Sequence, residues 1–245
     1  MSLKPRSTGR QESSSTRPPG LLMWSYMSPS NWYRGYLRLM ADNILDRWEI
    51  TAEALTKAID DNPSLRGMLF GYIAETKLME SLRQHPEVTS LTKDDDHDRR
   101  KKGDHRLTYR GKEFVVETKS LQTNSVKQLP GGTWFGKAQC DASDKRVVIF
   151  ADGSTLTTTN LRVGEFDVLA INIFGFLGRW KFVFARNDQL PRSSYGKYTE
   201  AQRAQLLATL IPVTWPLDPD GIFSGDLFEL LDELIAERSR STPSS

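Results

Sequence analysis

The sequence predicts an α/β (α+β) fold, with one central mixed β-sheet flanked by helices. Three observations predict it. Apolar residues recur at the three-to-four spacing of amphipathic helices towards both ends of the chain, β-branched and aromatic runs fill the middle, and no internal repeat interrupts the pattern.

The opening stretch, MSLKPRSTGRQESSSTRPPG, is rich in Ser, Pro, Arg and Gly and lacks an apolar core, so residues 1–22 are expected to be a disordered tail and 241–245 a disordered end. Residues 23–240 are expected to form one domain that is helical over 30–85, strand-rich over 88–186 and helical again over 199–238. Helices are read from about Trp32, across TAEALTKAIDD, and from the Asn62-Pro63-Ser64 start signal to just before Pro86. Strands are read in EVTSLT, HRLTY, EFVVETKSL, RVVIFA, STLTTT, FDVLAINIF and WKFVFA, with Asp152 and Gly153 at a tight hairpin turn. The segment NSVKQLPGGTWFGK reads as a flexible loop, and TEAQRAQLLATLI and FSGDLFELLDELIAERSRS read as the closing helices.

A chain of 245 residues, 38% hydrophobic and 26% charged, suits one sizeable soluble domain, and no apolar run approaches the roughly 18 residues of a membrane span. No membrane association is expected, and a reducing, cytoplasmic location is. Cys140 stands alone, so it forms no internal disulfide, and no Cys or His pair lies at zinc-ligand spacing. The absence of a Gly-rich phosphate loop argues against ATP hydrolysis. Net charge is only +2, but its placement is uneven. Arg99, Arg100, Lys101, Lys102, Arg106, Arg110 and Lys112 follow directly on the acidic run Asp94, Asp95, Asp96 and Asp98. These blocks read either as a solvated loop or as a basic rim beside a carboxylate site.

The tripeptide Glu-Thr-Lys occurs twice, at Glu75–Lys77 and at Glu117–Lys119. Residues two apart share one side of a strand but stand roughly 200° apart around a helix. The first copy lies in a helical pattern with Leu69, Phe70, Ile73, Leu78 and Leu82, and the second ends the strand KEFVV, so only the second unites its acid and its base. If Arg110 and Gly111 are the central residues of a two-residue hairpin turn, Tyr109 faces Lys112 and Asp104 faces Glu117, with Cβ atoms about 5 Å apart and Lys119 on the same face. A three-residue loop or a slip by one residue would move Asp104 off that face.

Two carboxylates held that close repel, and a shared divalent cation stabilises both as anions. Oxygen donors of this type suit Mg²⁺, with Mn²⁺ as a substitute, and such an ion lowers the pKa of a bound water and neutralises charge on a phosphodiester. Lys119 would then serve the attacking water or the developing phosphorane. The chemistry expected is phosphodiester hydrolysis.

At these residues the sequence resembles the PD-(D/E)XK nuclease superfamily, whose fold is a restriction-endonuclease-like core, here with a helical N-terminal region. The likeness consists of Asp104 at a strand end, Glu117-Thr118-Lys119 on the next strand and a preceding helix that carries Glu75; Gly103 stands where the family often has proline. The resemblance implies Asp104, Glu117, Lys119 and Glu75 as catalytic residues, a metal held by Asp104, Glu117, the Thr118 carbonyl and Glu75, and Gln139 in the place of a glutamine that some branches add. It implies a Mg²⁺-dependent DNA endonuclease of restriction or defence type acting on double-stranded DNA. A homodimer would cut both strands most simply, and a restriction enzyme would have a cognate methyltransferase. Backbone contacts are expected from Arg99, Arg100, Lys101, Lys102, Arg106, Arg110, Lys137, Gln139, Lys145 and Arg146. Lys145 and Arg146, beside Asp141 and Asp144, also read as a polar turn, and Gln139 also reads as a surface residue. The rival readings are a structure-selective repair or recombination nuclease and a non-catalytic DNA- or partner-binding module of the same fold.

Overall fold

The computed structural model describes residues 43–93 and 103–241. The expected tail, the helix read from Trp32, the acidic run from Asp94 and the basic residues Arg99 to Lys102 lie outside the described residues. The chain divides into two compact units, one ending at Pro63 and one beginning at Ser64.

In the first unit, α1 (Ile44–Trp48) and α2 (Ala52–Asp60) each start on a side-chain cap. Asn43 accepts from the Asp46 N–H and Thr51 from the Ala54 N–H, so each satisfies a backbone donor that the first helical turn leaves free.

The second unit carries the expected mixed sheet. Its strands are β1 (Val88–Lys93), β2 (His105–Tyr109), β3 (Lys112–Ser120), β8 (Val168–Asn172) and β9 (Phe182–Arg186), in that spatial order. Only β3 and β8 are parallel; the other neighbours are antiparallel. One face of the sheet buries Leu107, Phe114, Val116, Val168 and Ala170 against Ala74, Leu78 and Leu82 of α3 (Pro63–Leu82) and Leu227 and Leu231 of α6 (Leu227–Ser241). Each such Val, Leu or Phe side chain, fully removed from water, contributes about 1.5–3 kcal/mol, and each alanine less.

The opposite face, with Leu169, Ile171, Val183 and Ala185, packs on a second small sheet of order β10, β5, β4. Here β4 is Lys127–Gln128, β5 is Trp134–Gln139 and β10 is Leu210–Trp215, while the short helix α4 (Phe174–Leu177) adds Phe176 to the same core. A separate two-stranded ribbon is formed by β6 (Asp141–Ile149) and β7 (Thr155–Asn160). Among the described residues no helix is long and apolar enough to cross a membrane.

Two expectations for this unit are corrected. The flexible loop read in NSVKQLPGGTWFGK contains β4 and β5, whose inward positions Trp134, Gly136 and Ala138 join the core, with Gly131 and Gly132 at positive φ between the strands. Gly136 packs closely there: a Cβ would stand 3.0 Å from the Phe176 ring, which would have to give by a few tenths of an ångström. The helix read in TEAQRAQLLATLI is only α5 (Glu200–Gln205), after which Leu206 turns extended and β10 begins at Leu210. Its Pro212 lies on a strand that pairs only with β5, an edge where a missing N–H is tolerated.

Candidate active site

The geometry of the site starts at a turn. Arg110 and Gly111 both have positive φ, the conformation a two-residue hairpin requires, and Tyr109 pairs with Lys112. The register runs unbroken to His105 opposite Val116. His105, Leu107 and Tyr109 therefore point into the helix-covered core, and the alternate positions of β2 and β3 face the other way.

Asp104 follows directly on the last ladder pair. Its N–H donates to the Val116 carbonyl at 3.1 Å, and its Oδ2 accepts from the Thr118 N–H at 2.7 Å. Glu117 and Lys119 share one face of β3, opposite Leu169 and Ile171 of β8, and Lys119 Nζ lies 2.7 Å from Glu117 Oε1. Glu117 is only 6% exposed. The N–H of one Glu-Thr-Lys residue thus orients the aspartate while its neighbours supply the acid and the base.

Gly103 explains why no proline precedes Asp104. Its φ is +80°, and a Cβ would come within 2.1 Å of Val115 Cγ1, so both backbone conformation and space demand glycine. Gly103→Ala is expected to cost about 1–3 kcal/mol in urea unfolding and to displace Asp104 from the Thr118 N–H.

Electrostatics set these groups apart from ordinary surface charges. Burial, followed by the Glu117 charge, pushes the Asp104 carboxyl up to about 8, with a smaller push from Glu75 and an opposing pull from Lys119 and the Thr118 N–H. Burial alone would lower Lys119, but the Glu117 and Asp104 carboxylates outweigh it and hold the ammonium charged. Cys140, which sequence reasoning left without a role at the site, lies in the same field; burial raises its thiol to about 12 against the pull of Lys119. The link between β3 and β5 runs through a bridge from Leu121 to Ala138 and a Gln122 Nε2 bond to Gln139 Oε1 at 2.8 Å. Nothing in the spacing of Gln122 or Cys140 marks them, because strand pairing across more than a dozen residues brings them near.

Glu75 stands on α3, the helix that covers the other face of the sheet. Its carboxylate pairs with Lys93 of β1 at 2.7 Å, and Lys93 also lies over the Tyr72 ring. Among the described residues no group of three or more His, Cys, Asp or Glu side chains is gathered as for a metal ion, while the Glu75 charge is near enough to Asp104 to add to the upward push on that carboxyl.

The two clustered carboxylates still fit a hard divalent cation. Both are oxygen donors, burial and then the Glu117 charge raise Asp104, and once both carboxyls are ionised the single charge of Lys119 does not balance them.

The expected DNA contacts divide. Arg106 lies half-buried on β2 near Asp104; Lys137 and Gln139 face outward on β5, and Lys145 is exposed on β6. Arg146 turns inward to Glu165 and to the Asn160 carbonyl, 3.1 Å away. Arg110 sits at the far end of the hairpin, where Glu87 at 2.8 Å and Asp232 at 2.7 Å hold it. Arg110→Ala is expected to leave the urea-unfolding midpoint close to that of the wild type, because these pairs are half in water, and to leave the salt dependence of DNA binding unaltered.

A search of protein-family models and a search of curated proteins find no match. Among solved structures, a bacterial homing endonuclease aligns over 72% of this chain and 98% of its own at 13% identity, with a TM-score of 0.37. A likeness at that TM-score assigns neither activity nor substrate.

Proposed function

We propose that this chain is a Mg²⁺-dependent DNA endonuclease of the PD-(D/E)XK type, acting in restriction or a related defence role on double-stranded DNA. The observation that carries the reading is the convergence of Asp104, Glu117 and Lys119 at the open end of two paired strands, with Thr118 N–H fixing the aspartate and Lys119 Nζ on the glutamate. A structural ion pair does not need a second carboxylate forced up to about 8 beside it.

Asp104, Glu117 and the Thr118 carbonyl would hold the metal, with Glu75 reaching the site through a water. When bound, the ion supplies a water of lowered pKa and offsets negative charge on the scissile phosphate. Lys119, kept as an ammonium by its carboxylate neighbours, orients the attacking water and meets charge developing on the phosphoryl oxygens; it is a charge donor rather than a base. Lys137 and Lys145, both exposed, would contact backbone phosphates and make affinity fall with salt.

The test is cleavage of supercoiled plasmid and long linear DNA by the full chain with Mg²⁺, Mn²⁺ or EDTA, beside Lys119→Ala and Asp104→Ala. Metal-dependent cutting that both variants lose supports the reading, and discrete fragments favour a restriction enzyme over a structure-selective nuclease. Wild-type protein that cuts neither methylated nor unmethylated DNA with any metal sinks it.

A further inference from the structure

From the β6–β7 ribbon we infer a specificity element that lies in the DNA major groove beside the cleavage site; the inference rests on the nuclease reading above. The ribbon has two unlike faces. Its inner face is tied down: Val148, Phe150 and Leu156 pack with Leu206 and Tyr198, Thr158 Oγ1 lies 2.9 Å from the Tyr198 hydroxyl, and Asn160 Nδ2 donates to the Leu207 carbonyl at 2.8 Å. Its outer face is bare. Val147 and Ile149 are 65% and 63% exposed, directly opposite Thr157 and Thr155, which are exposed as well.

A rigid strand pair with one naked face of methyl and hydroxyl groups has the chemistry of base-edge reading. Methyls of Val, Ile and Thr match the thymine methyl, and threonine hydroxyls donate or accept at any base. Two strands about 4.8 Å apart with their side chains fill a groove about 12 Å wide, which is the space the major groove gives a two-stranded ribbon.

Position supports this occupant over a second protein surface. The ribbon begins at Asp141, one residue after Cys140, whose thiol lies in the field of Lys119 and Glu117. Between Asp141 and Arg146 the register shifts, so β6 carries extra residues there, a bulge that bends and re-aims a strand next to a site. Lys145 projects from that bulge, exposed and basic, where phosphates would flank the groove. At the tip the Asp152 carboxylate folds back on to the Ser154 N–H and hydroxyl at 2.9 and 2.7 Å, so the charge is engaged within the turn.

The experiment uses full-length Lys119→Ala as a binding-only parent and adds Val147→Ala, Ile149→Ala, Thr155→Ala and Thr157→Ala together. Both proteins select from a pool of randomised duplexes in Mg²⁺, and thermal unfolding checks that the untouched inner face still holds the ribbon. The parent is expected to enrich a motif and the ribbon variant to bind that motif about 10- to 100-fold more weakly, while unselected duplex binds both alike. Replacing thymine by uracil strips methyls from the major groove alone and is expected to weaken the parent but not the variant. Equal enrichment by both proteins, or no effect of uracil on the parent, overturns the ribbon assignment and leaves the nuclease reading standing. A ribbon variant that turns a wild-type dimer into a monomer in light scattering with unchanged motif binding gives the face to a second copy. A parent that binds no duplex at all overturns both.

Discussion

Lys119→Ala is expected to lower Mg²⁺-supported cleavage of duplex DNA by about 10²–10³-fold, the loss typical when one preorganised donor to a developing oxyanion is removed. The effect is large because no neighbour can replace the group. Lys119 Nζ lies 2.7 Å from Glu117, whereas Arg106 sits on the neighbouring strand β2. Binding should survive, since backbone affinity is spread over several cations and one half-buried lysine adds little to it. The pair of readouts therefore separates chemistry from affinity: single-turnover cleavage falls while the dissociation constant and its salt slope stay put. Lys119→Arg is expected to fail too, because a planar guanidinium cannot act as a compact point charge in that space. A variant that cuts at more than a tenth of the wild-type rate would remove Lys119 from the chemistry.

The centre of this site was legible in the sequence for local reasons. An Arg-Gly turn sets one register for β2 and β3, and alternation along KEFVVETKS then decides which side chains share a face. Those two facts bring Asp104 to Glu117 and Lys119 without any knowledge of the rest of the chain. What escaped was everything carried by distant pairing. β5 carries Gly136 in its interior and follows Gly131 and Gly132, so its local signal reads as a loop; it becomes a strand because β10 and β4 flank it. β10 in turn was hidden at the end of a helical-looking run, where Leu206 and Leu207 satisfy helical spacing but are fully buried in extended backbone. The near neighbours Cys140 and Gln122 were lost with those strands. For Glu75 the helix was legible from its periodicity, but the pairing of its carboxylate with Lys93 on β1 was not, because no helical pattern reveals a partner on a strand. Gly103 looked like a departure from a motif and is a requirement of positive φ.

Asp104→Asn is expected to stabilise the metal-free protein at pH 8.5 by about 1–3 kcal/mol while abolishing cleavage. The carboxyl titrates near 8 in the fold because burial and Glu117 oppose its charge, against about 3.9 in an unfolded chain. The folded protein therefore holds this proton more tightly. The stability it contributes is fully present below about pH 4 and is lost as pH rises through about 8, so wild-type protein in EDTA should weaken over that window while the variant stays flatter. Asparagine removes the repelling charge and keeps an oxygen able to accept from the Thr118 N–H, so the local fold is retained. Mg²⁺ relieves the same repulsion in the wild type by binding the ionised pair, and its stabilisation should grow from pH 5.5 to 8.5 and vanish in the variant. Urea unfolding of both proteins at those two pH values, with EDTA or Mg²⁺, reads all four terms. A variant less stable than wild type at pH 8.5 would mean that Asp104 is a net stabilising anion in the fold, and a strained carboxylate pair awaiting a cation would no longer describe the site.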